Sequence, residues 1–591
     1  MKAGIDAYIA SVDVTQQYAN PFSEKIEADY LFPLPENAAV NEFVMQIGDR
    51  TIRGIIRERE EAKQVYEAAR AQGYTASLLE QQRPNVFQQK VANIEPGKKI
   101  DIHIRYFHTL QYVDGWYEFD FPMVVAPRFN PPGSTDGIGG VARGNHGQSG
   151  QAVETQYLKP TERSGHDISL SVDLNAGVKI EELRSVNHKI EHSLDGTETH
   201  GIVSLASGDT LPNKDFVLRW RVAGGELKTN VIAQRDKDGT GGYFAMLLVP
   251  PATNDDLPRK PVDLCFVLDV SGSMSGRPIE QSKAAMRAAM GLMRPGDTLE
   301  VLRFASGTDS LSDHPLLATP TNIRKAMQFV ENSSAGGGTM MLDGITKALN
   351  VPTDETRTRY LCLLSDGQIG DESELIHATR VLHNRTHVFG FGVGSSPNRY
   401  LFDGMSRAGA GAVAYLSLNE KGEDVMRPFF ERISRPAMTD ISVDARGLPG
   451  AELTLSKIPD CYVGRAVVLT GRYKGDGGTL KLKGRVGDQT VEKTFTVQPT
   501  DRNDSALASV WARQQIAAVC DASTDADGPN ASNFDAPAQI KSIALEYGLM
   551  SQYTSYVAVD SSHITAGDHG VSVVQPLPIP DGERYDTQIT K

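Results

Sequence analysis

Five residues near the middle of this sequence have the type and spacing to hold a metal ion. Asp269, Ser271 and Ser273 alternate in "FVLDVSGSMSG", where an apolar run ends. Thr339 lies in the glycine-rich stretch "GGGTMML", and Asp366 ends the apolar run "YLCLLSD", with Gly367 behind it. Two carboxylates and three hydroxyls are hard oxygen donors. Such donors suit Mg²⁺, with Ca²⁺ or Mn²⁺ as alternatives, and do not suit zinc. Two negative charges beside neutral hydroxyls leave a divalent ion short of a full shell. A coordination position then stays open for water or for an acidic group on a partner. D-x-S-x-S alone reads equally well as a turn; the three segments in this order are what point to a cation.

These residues need a frame that brings three distant loops together. Between residues 262 and 435, apolar runs ("DLCFVLDV", "LEVLRFA", "YLCLLSD", "THVFGFGV") alternate with helical patterns. Continuous apolar runs are strands buried on both faces, hence an α/β doubly wound unit with a parallel sheet and helices outside. In such sheets ligands bind beyond the carboxyl ends of the strands. All three loops are expected at that edge. Ile279, Met286, Met290 and Met293 mark one side of a helix and are expected to fill the core.

On either side the pattern is β-rich. Residues 1–50 alternate apolar and polar, a helix with an apolar face of Ala62, Val65, Tyr66 and Ala69 follows over 57–72, and strands resume at "VFQQKVANI" and "KIDIHIRYFHTLQY". The Gly/Ser/Pro/Asn-rich stretch 128–165 reads as a long exposed loop, and short strands over 166–250 are expected to complete a β sandwich. Strands return over 436–500, helices are expected over 505–520 and from Pro537 to Tyr547, a flexible loop over 521–536, and "YTSYVAVD" reads as a strand. The tail from Ser561 is expected to be poorly ordered.

At this point two resemblances enter. Asp269-x-Ser271-x-Ser273, Thr339 and Asp366-Gly367 resemble the metal-ion-dependent adhesion site of a von Willebrand factor A domain. That resemblance implies that the serines and the threonine bind the ion, that the aspartates help directly or through water, and that a partner carboxylate completes the shell. Phe32-Pro33-Leu34-Pro35, Gly48-Asp49-Arg50, the helix with Tyr66 and Arg83-Pro84-Asn85-Val86-Phe87 are similar to the VIT domain of inter-alpha-trypsin inhibitor heavy chains. With the "YGLMSQYTSYVAV" ending, the chain resembles bacterial heavy-chain-like proteins over nearly its whole length. The vertebrate members' glycosaminoglycan linkage at an Asp-Pro cleavage is not implied, because the chain has no Asp-Pro dipeptide. The expected division is a VIT domain over 1–125, a loop and strands completing the N-terminal β region over 126–260, the von Willebrand A domain over 261–435, a C-terminal β region with helices over 436–560, and a tail over 561–591.

Composition narrows the function. At 591 residues the chain is too long for one core. Its 74 acidic against 60 basic residues give a net charge of -14, which argues against a nucleic-acid partner. Four cysteines without a C-x-x-C pair are too few for a disulfide scaffold, and Cys265 and Cys362 read as small buried hydrophobes. No apolar run is long enough for a transmembrane helix, and the N-terminus has no signal-peptide pattern. If the protein is exported, a targeting segment lies outside these residues.

Other chemistry finds little support. "GQSG" at 147–150 lacks the spacing of a nucleophile elbow, and "GSMSG" puts Met274 where the serine would stand. His103 and His108 are expected on opposite faces of a strand, and His188 and His192 at the surface. The glycines at 336–338 lack the Lys of a phosphate loop and are expected to let the backbone approach the ion. The charged face of helix 57–72 is expected in solvent, and Arg83 to pair with Glu80. The reading is a non-enzymatic, metal-dependent binding or adhesion protein, at the cell surface, periplasmic or secreted, whose ligand is a protein or matrix component with an exposed carboxylate. The rivals are an intracellular assembly scaffold, using the same domain for subunit contacts, and a hydrolase.

Overall fold

The computed structural model describes residues 1–113, 116–127, 129–130, 141–142, 148–149, 157–159, 162–163, 165–222, 230–248, 261–351, 354, 356–384, 386–433, 436–454, 458, 461–462, 466–486, 489–499, 506–523, 535–567 and 570–582. Most of the loop expected over 128–165, all but a few residues of that over 521–536, and the tail beyond 582 lie outside the described residues.

The apolar runs form one sheet. Its order is Thr308–Ser310, Thr298–Phe304, Val262–Asp269, Thr358–Ser365, Thr386–Val393, Val413–Leu416, and all neighbours except the first pair run parallel. The sheet is covered on both faces, so alternate side chains of one strand enter different cores. Leu264, Phe266 and Leu268 pack with Met286, Met290 and Phe429, while Cys265 and Val267 pack with Ile345, Leu375 and Leu401. This is why the runs are apolar without alternation. Met286 and Met290 are buried and Met293 partly so, filling core as expected. The chain leaves Val262–Asp269 for the neighbour on one side, then crosses to Thr358–Ser365 on the other. The edge between them is the switch point where an open α/β sheet leaves a crevice.

The N-terminal region is a sandwich. An eight-stranded sheet, with Ile9–Ala19 and Lys99–Thr109 near its centre, faces a six-stranded sheet containing Ile26–Pro33, Val86–Ile94 and Tyr74–Arg83. Val40, Phe43 and Ile102 of the first meet Phe32, Leu79, Phe87 and Val91 of the second in one core. The helix Arg59–Ala71 buries Ala62, Tyr66 and Ala69, but Val65 is 36% exposed, so its apolar stripe is narrower than expected.

Several segments pair across the chain in ways that local pattern does not show. The strand Thr554–Ile564 lies between Tyr74–Arg83 and Ile55–Glu58, so the C-terminal end completes the N-terminal sandwich. The helices Ala506–Ser523 and Ala536–Tyr547 add Leu507, Val510, Trp511 and Ile540 to the same core. Part of the segment expected to be a poorly ordered tail is paired: Val571–Val574 runs parallel to Ile26–Pro33, and Leu577–Pro578 pairs Tyr157–Leu158. Gly241–Leu248 pairs Val467–Lys474 in a further sheet, whose core includes Phe244, Met246, Leu469 and Leu480, while its alternate residues Tyr243, Ala245 and Leu247 pack into the core of the N-terminal sandwich.

Candidate metal site

Asp269 is the last residue of its strand and has no exposed surface. Behind it a single 3-10 turn, Gly272–Met274, folds the two serines back toward it before the helix Arg277–Gly291 starts with Pro278 in its first turn. Proline suits that position because its missing N–H would have no helical partner there. The Ser271 N–H donates to Asp269 Oδ1 at 2.8 Å, and Ser271 Oγ lies 3.2 Å from Ser273 Oγ.

The Thr339 loop is sewn to this turn by backbone bonds. Gly336 N donates to Val270 O at 2.8 Å, Gly272 N to Gly337 O at 3.2 Å, and Met340 N to Ala305 O at 2.8 Å. Gly337 has φ +85°, and a Cβ there would stand 2.8 Å from Ser306 Oγ. A glycine is therefore required for this approach.

Asp366 directly follows the strand Thr358–Ser365. Its Oδ1 accepts from Gln368 N at 3.1 Å, and its carbonyl accepts from Asn398 N at 2.9 Å. Gly367 has φ +73°, and a Cβ there would meet Asn398 Cβ at 2.9 Å. The structure thus brings the three loops that carry Asp269, Ser271, Ser273, Thr339 and Asp366 to one sheet edge. All five side chains are buried, Ser273 being the most exposed at 7%.

Burial and the neighbouring Asp366 carboxylate push the Asp269 carboxyl well above the usual carboxylate range, against hydrogen bonds from Ser271 and Ser365. Two carboxylates in one dry place oppose each other's ionisation, and a divalent cation between them removes that penalty. With hydroxyls as the other donors, such a set is suited to Mg²⁺, Ca²⁺ or Mn²⁺.

Ser365 is a further residue of this edge. Its Oγ donates to Asp269 Oδ2 at 2.5 Å and accepts from Gly367 N at 2.8 Å, tying two of the loops together. Its signal in the sequence is only a hydroxyl at the polar end of an apolar strand. A second such residue is Arg83. It does not pair with Glu80, which is held by Arg59 at 3.2 Å, but with Glu372 at 2.6 Å. Glu372 in turn accepts from Asn398 Nδ2 at 3.1 Å.

The histidines are elsewhere. His103 reaches Thr15 Oγ1 on one face of its strand, while His108 is buried on the other, where desolvation lowers its pKa to about 4. His188 is not at the surface as expected. It is buried, with Nδ1 3.0 Å from Asp209 Oδ1 and Nε2 3.2 Å from Lys214 O, whereas His192 is exposed. Among the described residues no group of three His, Cys, Asp or Glu side chains is placed to hold a metal ion. "GQSG" lies partly outside the described residues.

Two domain families match the chain: the Vault protein inter-alpha-trypsin (VIT) domain over residues 1–106, and the von Willebrand factor type A domain over residues 262–414. The chain therefore carries a VIT domain followed by a von Willebrand A domain. It is 27% identical over 449 residues to the protein mono-ADP-ribosyltransferase PARP4 of Mus musculus, covering 75% of this chain and 22% of that protein. It is 23% identical over 572 residues to a von Willebrand factor A domain-containing protein of Dictyostelium discoideum, covering 93% and 57%. Human inter-alpha-trypsin inhibitor heavy chain H3 is 24% identical over 583 residues, covering 92% and 61%. The chain spans less than two thirds of each of these relatives. Among solved structures, the von Willebrand factor type A protein from Catenulispora acidiphila aligns with a TM-score of 0.36 and 14% identity, over 54% of this chain and 86% of that one.

Proposed function

We propose that the protein is a divalent-metal-dependent binding protein, and that its von Willebrand A domain engages an acidic group of a protein or matrix ligand. The observation that carries this reading is the buried pairing of the Asp269 and Asp366 carboxylates beside the Ser271 and Ser273 hydroxyls, which are 3.2 Å apart. In this reading Ser271, Ser273 and Thr339 bind the ion, while Asp269 and Asp366 hold it and its waters. When bound, the ion supplies a Lewis-acidic position that a ligand carboxylate can fill.

The reading is non-enzymatic. The transferase activity in the name of one relative belongs to a protein of which this chain spans 22%. Among the described residues no helix is long and apolar enough to cross a membrane; a surface, periplasmic or secreted location is part of the proposal.

The test is capture of ligand from the native source by immobilised protein, with Mg²⁺ and again with chelator, alongside Asp269→Ala. Ligand retained only by the wild type with Mg²⁺ supports the reading. Equal retention under chelator or by Asp269→Ala would refute it. Capture of partner subunits in place of an acidic surface or matrix ligand would favour the scaffold reading.

A further inference from the structure

A cleft of about 80 Å³ lies between the VIT region and the von Willebrand A domain. That is several times the space a single water needs. Its walls include Glu36, Asp120, Asp215, Gln368, Arg399 and Asp403, four acids against one base. The base is already committed: Arg399 Nη1 lies 2.8 Å from Glu118, and its guanidinium stacks 4.0 Å over Tyr415. Asp120 is 3.7 Å from Arg399 Nε, and Glu36 is 3.4 Å from Arg407 at the rim.

Two of these carboxylates take their hydrogen bonds from neutral groups. Asp215 accepts from Met123 N at 3.0 Å and Ser396 Oγ at 3.1 Å; Asp403 accepts from Tyr415 Oη at 2.9 Å and Gln111 Nε2 at 3.3 Å. Burial raises the Asp215 pKa to about 7, and burial with the nearby Glu36 raises that of Asp403. Arg399 opposes both shifts, and Arg407 that of Asp403, but Arg399 is shared with Glu118 and Asp120, so burial prevails at both acids.

A separate observation points to what is missing. Gln368 is 4% exposed, and its Nε2 donates to Ser396 O at 3.0 Å, but its Oε1 has no hydrogen-bond partner. A buried acceptor left so is unfavourable by about 1–3 kcal/mol. Asp215 and Gln368 both bond to Ser396, so these acceptors share one end of the cleft. Glu36 and Asp403 neighbour each other as a second acidic group of the lining. A ligand that answers both groups donates hydrogen bonds to each and carries positive charge.

We propose that this cleft binds a linear alkyl diammonium cation, of the diamine and polyamine class. One ammonium donates to Gln368 Oε1 and the Asp215 carboxylate, and the other is drawn by Asp403 and Glu36. The proposal does not rest on the metal reading, although Gln368 also donates its backbone N–H to Asp366 Oδ1 at 3.1 Å.

The test is calorimetric titration of the full chain with putrescine, with Mg²⁺ present throughout. Butylamine, of equal length with one charge, is the control. Saturable putrescine binding is expected, weaker in butylamine and about tenfold or more weaker in Asp403→Asn and in Gln368→Met. Thermal melting confirms that each variant folds; Asp215→Asn is added where it does. Absence of saturable binding, equal affinity for butylamine, indifference to both substitutions, or displacement of putrescine by Mg²⁺ in the Asp269→Ala background would each overturn the proposal.

Discussion

Arg83 Nη1 stands 2.6 Å from Glu372 Oε2, and the two side chains are 7% and 6% exposed. The pair joins the last residue of a VIT strand to the first residue of the helix Glu372–Leu382. From Glu372 the path continues through Asn398 Nδ2 at 3.1 Å, and Asn398 N donates to the carbonyl of Asp366 at 2.9 Å. The VIT domain is thereby hydrogen-bonded, residue by residue, to the loop that carries one of the two site carboxylates.

Removing one partner of a buried ion pair leaves the other charge uncompensated, at a cost of about 3–5 kcal/mol. Glu372→Ala is expected to lower the stability of the full chain by less than that, because Asp371 also lies close to Arg83. Arg83→Met combined with Glu372→Leu should recover a large part of it. Denaturant unfolding of Arg83→Met, of Glu372→Leu and of the double measures this; strictly additive losses would contradict a direct pair.

Ser365→Ala removes the 2.5 Å donor to Asp269 Oδ2 and the acceptor for Gly367 N. A hydrogen bond to a charged group contributes about 1.5–3 kcal/mol. Divalent affinity is expected to fall by about tenfold or more, while the far-ultraviolet circular dichroism stays unchanged. Mn²⁺ titration checks it, and wild-type affinity in the variant would remove Ser365 from the account.

Gly337→Ala forces a Cβ to within 2.8 Å of Ser306 Oγ at φ +85°. The left-handed conformation alone costs a non-glycine residue about 1–2 kcal/mol. The loop should shift, and Thr339 with it, so metal affinity is expected to drop more than the melting temperature does. Gly336, where a Cβ would meet nothing, is the control: Gly336→Ala should be nearly neutral.

How far the sequence discloses this arrangement depends on the range of each interaction. Asp269, Ser271 and Ser273 sit in one turn, so their spacing draws attention to them, though alone it reads equally well as a turn. Thr339 and Asp366 become legible once the apolar runs are read as parallel strands, because that fold fixes which strand ends share an edge. Ser365 is hidden, since its partner Asp269 is 96 residues away and a strand-end serine has no pattern of its own. The same holds for Arg83, whose nearest acid in sequence, Glu80, is taken by Arg59. His188 reads as polar surface, but the fold closes Asp209 and Lys214 around it. "YTSYVAVD" declares a strand without declaring its partners, and those lie in the first hundred residues.

Glu118 supplies a pH test of the interface between the domains. It is buried, and although desolvation alone would raise its pKa, Arg219 at 2.6 Å and Arg399 at 2.8 Å lower it to about 2. An acid whose folded pKa lies below its unfolded value stabilises above the unfolded value, near 4.5, and loses that contribution as pH falls toward 2. The contribution is of the order of 3 kcal/mol. The stability difference between wild type and Glu118→Gln should therefore be full at pH 6 and shrink between pH 5 and 2. A difference independent of pH would show that the carboxylate charge is not what the arginines hold.

The most direct measurement of the central claim is equilibrium binding of Mn²⁺ to the full chain, read by electron paramagnetic resonance, for wild type and for Asp269→Ala. The account predicts one saturable site in the wild type, competed by Mg²⁺, and its loss in the variant while the melting profile is kept. An unchanged site in Asp269→Ala, or no saturable site in the wild type, would contradict it.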